Sequence, residues 1–130
     1  MFRFRLDGRS GVPPYLQLVQ QVRQALLLGY LRQGDQLPTV KEVVGTLTIN
    51  PNTVVKAYRQ LENEGVVAAK PGQGTFITAE VEAVAPGDYA RLRRSLERWV
   101  RDARGSGLDD ETVTALIASV RTDVRAEGVA

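Results

Sequence analysis

Residues 39–65 read TVKEVVGTLTINPNTVVKAYRQLENEG, and this stretch decides the fold. Thr39 with a glutamate three residues later forms a capping box, which predicts the start of a helix. Asn50 and Pro51 begin the next helix at once, as an N-cap and a proline in the first helical position. Gly65 is the expected stop of that helix. Since about three residues join the two helices, they must cross steeply, which predicts a helix-turn-helix.

The second helix of this pair is the third in the chain, and its two faces differ in chemistry. Apolar residues at helical spacing form the face that packs on a core: Val54, Ala57, Tyr58 and Leu61. At about 100° per residue, the opposite face carries two amides and two cations and no carboxylate: Asn52, Lys56, Arg59 and Asn63. Amides hydrogen-bond to base edges and cations pair with phosphates. We therefore interpret this face as a surface that binds a DNA major groove, and not as a merely solvated helix face.

The segments around this pair complete a small domain over residues 1–79. An apolar alternation at Phe2, Phe4 and Leu6 indicates a short extended arm or an edge strand. A helix is predicted from Pro14 to Gly29, followed by a loop over residues 33–38.

A β-hairpin follows the third helix directly, with strands at 66–69 and 75–78. Its tip is rich in glycine, which lets a backbone approach a phosphate or enter a minor groove. This position after the recognition helix is that of a wing, and the candidate contacts are Lys70, Gly72, Gln73 and Gly74.

Residues 80–87 are predicted to be a linker, and residues 88–130 a two-helix segment. Asp88 is the expected cap of the fourth helix, which runs to about residue 104, and Asp109 caps the fifth. Two short amphipathic helices cannot close a core of their own, so we expect them to dimerise, although some of the stripe can cover the chain's own core. The candidate interface residues are Tyr89, Leu92, Leu96, Trp99, Val113, Leu116, Ile117 and Val120. Six arginines on the fourth helix are interpreted as a salt-bridged, solvated face.

The composition excludes several function classes. The 130 residues contain no cysteine and no histidine, which removes thiol and imidazole catalysis and zinc sites built on those ligands. No cofactor and no metal are expected. Residues 1–79 hold nine basic and five acidic side chains, while residues 80–130 hold eight and ten, so the N-terminal part is the basic one. No apolar run approaches a membrane span and the N-terminus does not resemble a secretory signal, so we expect no membrane partner and a cytoplasmic location.

Six ordered blocks of this sequence resemble the GntR family of bacterial transcription regulators. The blocks are PYLQL at 14–18, GYL at 29–31, GDQLPTVKE at 34–42, NPNTVVKAY at 50–58, LENEG at 61–65 and GQGTFI at 72–77. The NPNTV start of the third helix, with only about fifty residues after the wing, resembles the YtrA subfamily, whose members carry two dimerisation helices.

This resemblance implies roles for matching residues. Thr39 is expected to contact phosphate, and Lys41 to reach a base or phosphate where the family usually has arginine. Asn52, Thr53 and Lys56 are expected to face the major groove, beside the N-cap Asn50. The lysine at 41 cannot make a bidentate guanine contact. Other branches have arginines where this chain has Pro51 and Val55, so their operators cannot be carried over.

The sequence therefore predicts a mainly α protein with a small β-hairpin: a winged helix-turn-helix followed by two dimerisation helices. The predicted function is sequence-specific binding of a double-stranded DNA operator, as a dimeric repressor at an inverted repeat. The sequence does not reveal a small-molecule effector. One alternative is a winged-helix adaptor that binds a protein partner and not DNA. Another is a small hydrolase with a carboxylate pair at Glu62 and Glu64 or at Asp109 and Asp110, but the positions of these acids at helix ends argue against an enzyme.

Overall fold

A computed structural model describes residues 2–82 and 85–129. Its elements, in chain order, are α1 (Pro14–Leu27), α2 (Val40–Leu47), α3 (Pro51–Asn63), β1 (Val67–Lys70), β2 (Gly74–Ile77), α4 (Pro86–Gly105) and α5 (Asp110–Val129). The chain divides into two units, Met1–Ala83 and Val84–Ala130. The prediction of a mainly helical fold with one small hairpin is confirmed. No helix in the described ranges is long and apolar enough to cross a bilayer.

The N-terminal arm is extended, but it joins no sheet. Gln21 of α1 bonds both backbone groups of Arg5, with its Oε1 accepting from the N–H at 2.8 Å and its Nε2 donating to the carbonyl at 2.5 Å. Gln17 bonds Asp7 in the same way. Phe4 is thereby held in the core at 7% exposure. Of the two alternatives, the extended arm is right and the edge strand is wrong, because glutamine side chains satisfy the backbone groups that a neighbouring strand would otherwise bond.

The helix-turn-helix forms as its capping residues predict. The Glu42 N–H donates to Thr39 Oγ1 at 3.1 Å, and the Thr39 N–H donates to the Glu42 carboxylate at 3.3 Å. The Asn52 N–H donates to Asn50 Oδ1 at 2.8 Å at the start of α3. Between the helices Thr48 has a φ of 52°, and this left-handed residue reverses the chain within three residues.

One hydrophobic core fills the first unit. All four predicted core residues of α3 are buried, and they pack with side chains of α1, α2 and both strands. The largest fully buried side chains include Leu18, Leu37, Leu61 and Ile77. The core therefore fixes which face of α3 points outward.

The hairpin is antiparallel, with Val67 opposite Ile77 and Lys70 opposite Gly74. The segment over residues 34–37 runs along its outer edge, where the Leu37 N–H donates to the Thr75 carbonyl at 2.9 Å and the Ile77 N–H donates to the Asp35 carbonyl at 2.8 Å. The loop that the sequence predicts here is present, and it carries one isolated bridge, from Gln36 to Phe76, that the sequence did not indicate. Leu37 is buried, and the free edge of β2 satisfies the backbone groups that its burial removes from water.

The second unit is a pair of helices that contact each other. The first of them, α4, begins at Pro86, so the prediction that Asp88 is its N-cap was wrong. Proline suits the first helical position, and Asp88 instead lies in the first turn, where its charge favours the helix dipole. Asp109 caps α5 as predicted, because the Thr112 N–H donates to its carboxylate at 2.8 Å. Hydrogen bonds from Thr112 lower the pKa of Asp109 below its ordinary value.

Candidate nucleic-acid interface

The outer face of α3 brings four of the predicted polar residues together. Asn52, Lys56, Arg59 and Asn63 are all exposed, and with Val55 and Gln60 they line one shallow concavity. The lining contains no acidic side chain. This arrangement offers amide donors and acceptors along the middle of the face and positive charge beside them, which is the chemistry of base reading and phosphate contact.

Tyr58 fixes α3 against the start of α2. Its hydroxyl donates to the Pro38 carbonyl at 2.6 Å, and both residues are buried. Burial, followed by the nearby negative charge of Glu42, raises the pKa of Tyr58 well above its ordinary value, so the hydroxyl stays protonated and remains a donor. The hydrogen bond therefore sets the position of α2's N-terminal turn relative to the outer face of α3.

The remaining candidate residues of the helix-turn-helix differ in their exposure and in whether their side chains already form hydrogen bonds. Lys41 is exposed in the first turn of α2. Thr39 is exposed too, but its hydroxyl lies 3.0 Å from Glu42 Oε1, so a phosphate there competes with a carboxylate of the same chain. Asn50 uses its side-chain oxygen to cap α3. Thr53 is half-buried.

The wing carries its candidate residues on an exposed tip. Lys70, Gly72 and Gln73 are exposed, and Gly72 has a φ of 73°, which the tight turn requires of a glycine. Gly74 is half-buried, because Gln36 packs against it: a Cβ at Gly74 would lie 2.5 Å from Gln36 Nε2. That Nε2 also donates to the Gln73 carbonyl at 3.0 Å.

Sequence reasoning missed two residues that support this surface. Gln36 holds the wing tip, but it was assigned to a loop, and only its pairing along β2 brings it to the tip. Tyr15 belongs to α1, outside the helix-turn-helix, and the Lys56 Nζ lies 3.9 Å from the centroid of its ring. A tyrosine at helical spacing among apolar residues is typical of a core position, so nothing in the sequence distinguished it.

Comparison with known proteins identifies the family. Residues 14–77 match the family described as bacterial regulatory proteins, gntR family. The chain is 34% identical over 122 residues to the HTH-type transcriptional repressor YtrA of Bacillus subtilis, covering 93% of this chain and 94% of that protein. This chain belongs to the GntR family.

Two solved structures resemble this GntR protein along most of its length. The transcriptional antiterminator from Listeria monocytogenes EGD-e superposes with a TM-score of 0.60 at 29% identity, covering 95% of this chain and 92% of that one. YtrA from Sulfolobus acidocaldarius, a GntR-family transcription factor, gives a TM-score of 0.56 at 28% identity, covering 77% of this chain and 99% of that one. The predictions of a YtrA-like GntR protein, of a winged helix with C-terminal helices and of a DNA-binding transcriptional regulator that is not an enzyme are confirmed.

The second unit of this GntR protein presents an apolar stripe to solvent. Four of the eight candidate interface residues are exposed by 41–53% of their surface: Leu92, Leu96, Leu116 and Val120. Tyr89, Trp99 and Ile117 are half-buried. Val113 is only 8% exposed within a single chain, so it adds little area to an interface.

Ion pairs engage part of the charge in the second unit. Four of the six arginines on α4 form ion pairs: Arg91 with Asp88, Arg93 and Arg101 with Glu97, and Arg104 with Asp110. These pairs are exposed and contribute little stability. They offset part of the positive charge of α4, which carries six arginines and three carboxylates.

Three of the four acidic residues considered for hydrolysis have other partners. Glu64 pairs with Arg23, Asp110 with Arg104, and Asp109 caps α5. Among the described residues, no group of three or more acidic side chains could hold a metal ion.

Proposed function

We propose that this GntR protein is a homodimeric repressor that binds an inverted-repeat DNA operator in the cytoplasm. The observation that carries the proposal is the exposed, carboxylate-free face of α3, held rigidly by the core beneath it. Repression is supported by the similarity to a transcriptional repressor along almost the whole of both chains.

Within this proposal α3 enters the major groove, and its polar residues contact different parts of the DNA. Asn52 and Asn63 have the donor and acceptor pairs that read base edges. Lys56 and Arg59 are positioned to meet phosphates, and Lys41 in the first turn of α2 adds a further exposed cation. The wing tip at Lys70 and Gln73 extends the contact to the neighbouring backbone or minor groove.

Dimerisation follows from the exposed stripe of α4 and α5. Large aliphatic side chains lie at half exposure along both helices, and burying each contributes about 1.5–3 kcal/mol when complete. A second copy related by a two-fold axis covers both stripes at once. Such a dimer presents two recognition helices to half-sites about one helical turn apart, roughly 34–36 Å.

The experiment is selection of bound duplexes from a random pool, followed by titration of the selected operator and a scrambled duplex. Asn52→Ala is expected to cost about 1–3 kcal/mol on the operator and to relax preference at one base position. Lys56→Ala is expected to weaken both duplexes similarly, because it removes a phosphate contact. Gln24→Ala, at an exposed position of α1, is the matched control and should change neither. Enrichment of no sequence, with equal affinity for all duplexes, contradicts operator binding and favours the adaptor alternative.

A further inference from the structure

The first turn of α1 meets the recognition helix through one aromatic ring. Tyr15 is the second residue of α1 and is half-buried against the core that α1 and α3 share. The Lys56 side chain crosses from α3 to α1, and its Nζ lies 3.9 Å from the centroid of the Tyr15 ring. This distance is well inside the range of a cation–π contact, about 6 Å.

The contact orders the lysine without neutralising it. An aromatic face attracts an ammonium but carries no net charge, whereas a carboxylate partner would cancel the charge that a phosphate needs. Among the described residues Lys56 forms no ion pair, so its full charge remains available on the exposed face of α3. A lysine that is already ordered loses less side-chain entropy when it meets its ligand.

The wing repeats this arrangement. The Lys70 Nζ lies 4.7 Å from the centroid of the Phe76 ring, across the hairpin from its own strand. Two of the three lysines in the chain therefore lie over rings, one on α3 and one on the wing. Aromatic support of a lysine therefore occurs at two places on this surface, and not at Lys56 alone.

We propose that Tyr15 is a positioning residue for DNA binding, which holds the Lys56 ammonium at the α1 edge of α3, ready for a backbone phosphate. The inference rests on the proposed function, since it names a residue that prepares the same surface. Tyr15 acts through Lys56 and needs no contact of its own with DNA.

The contact is tested first in the free protein by nuclear magnetic resonance. A methylene group next to an ammonium above a ring is shifted upfield by the ring current, so the Lys56 ε-protons should resonate upfield of those of exposed Lys41. Tyr15→Phe should keep the shift, and Tyr15→Leu should abolish it. Equal resonances for the two lysines in the wild-type protein overturn the inference, and this result needs no variant to fold.

The consequence is tested by a double-mutant cycle on the selected operator. Tyr15→Leu should weaken binding about two- to fivefold, the range of an exposed cation–π contact. Tyr15→Phe should bind like the wild type. In a Lys56→Gln background Tyr15→Leu should have no further effect. The same loss in both backgrounds overturns the inference, because the ring then acts by another route. Thermal unfolding of each variant confirms that the core is intact. If the wild type itself prefers no duplex, the proposed function fails, while the resonance shift still decides whether the contact exists.

Discussion

The two units of this GntR protein bury their apolar side chains to very different degrees. Among the residues that the structure describes, fifteen hydrophobic side chains of the first unit are buried, with Leu18 and Leu61 at 0% exposure. In the described part of the second unit the buried hydrophobic residues are Ala103 and Val113, both at 8%, while Leu92 and Leu96 of α4 are about half exposed.

The difference shows that the apolar faces of the helices are buried in one unit and remain exposed in the other. The first unit encloses its apolar stripes in three helices and a hairpin, and the polar face of α3 remains outside. The second unit has two stripes and no third layer, so a single chain leaves them in water. The first unit therefore holds the proposed recognition surface, and the second holds the surface that another copy is proposed to cover.

The largest expected effect comes from placing a charge in the exposed stripe. Leu96→Asp should convert the dimer to a monomer, because an unpaired carboxylate cannot be buried in an apolar interface. Affinity for a two-half-site operator should fall by about a hundredfold or more, since the two recognition helices no longer bind as a linked pair. Sedimentation and gel shifts on one- and two-half-site duplexes measure both changes.

The matched control is Thr122→Asp, which adds the same charge to an exposed residue of α5 on the face opposite the stripe. It should leave the dimer and the operator affinity within about twofold of the wild type. A dimeric Leu96→Asp protein, or equal losses for the two variants, would show that the interface lies elsewhere on the chain.

The second largest effect is expected on the free energy of unfolding, when one leucine in each unit is replaced by alanine. Leu61→Ala should lower the free energy of unfolding of the first unit by about 2–5 kcal/mol, because it leaves a cavity in a closed core. Leu92→Ala should leave the first unit unchanged and weaken only self-association. Urea titration followed by circular dichroism, at several protein concentrations, separates the two. A large, concentration-independent loss for Leu92→Ala would contradict the idea that its stripe is completed by a second copy.

A smaller effect is expected at the hydrogen bond between α3 and the start of α2. Tyr58→Phe should cost about 1–3 kcal/mol, because it leaves the buried Pro38 carbonyl without a donor. The tyrosine pKa is raised on folding, so its contribution is complete at neutral pH and is lost as the pH rises above about 10, where unfolded chains deprotonate first. Urea midpoints measured from pH 7 to 11 should fall more steeply for the wild type than for Tyr58→Phe. If the urea midpoints of the two proteins fall in parallel, this hydroxyl does not determine the pH dependence of stability.

The sequence predicted the helix-turn-helix well because its signals are local. A capping box at Thr39, an N-cap at Asn50 and a glycine stop at Gly65 each act within one turn, and the helices begin and end where these residues place them. The polar face of α3 followed from its apolar face by geometry alone.

The remaining features depend on contacts between distant segments. Gln36 reaches the wing tip only because residues 34–37 run along β2, and Tyr15 reaches Lys56 only because α1 packs on α3. The arm at Arg5 is held by a glutamine sixteen residues away. None of these pairings has a short-range pattern. From the sequence, Gln36 is therefore placed in a loop and Tyr15 in the core, and the segment around Arg5 is either an arm or a strand.

The most direct test of DNA recognition through α3 is the salt dependence of binding to the selected operator and to a scrambled duplex. Fluorescence anisotropy of labelled duplexes, between about 50 and 200 mM salt, gives both affinities. The logarithm of each affinity should fall linearly with the logarithm of the salt concentration, by about 0.9 for every phosphate neutralised. The operator should stay about a thousandfold or more tighter throughout, and Asn52→Ala should narrow that gap without changing the slope. A flat salt response, or one affinity for both duplexes, would contradict recognition of DNA by this face.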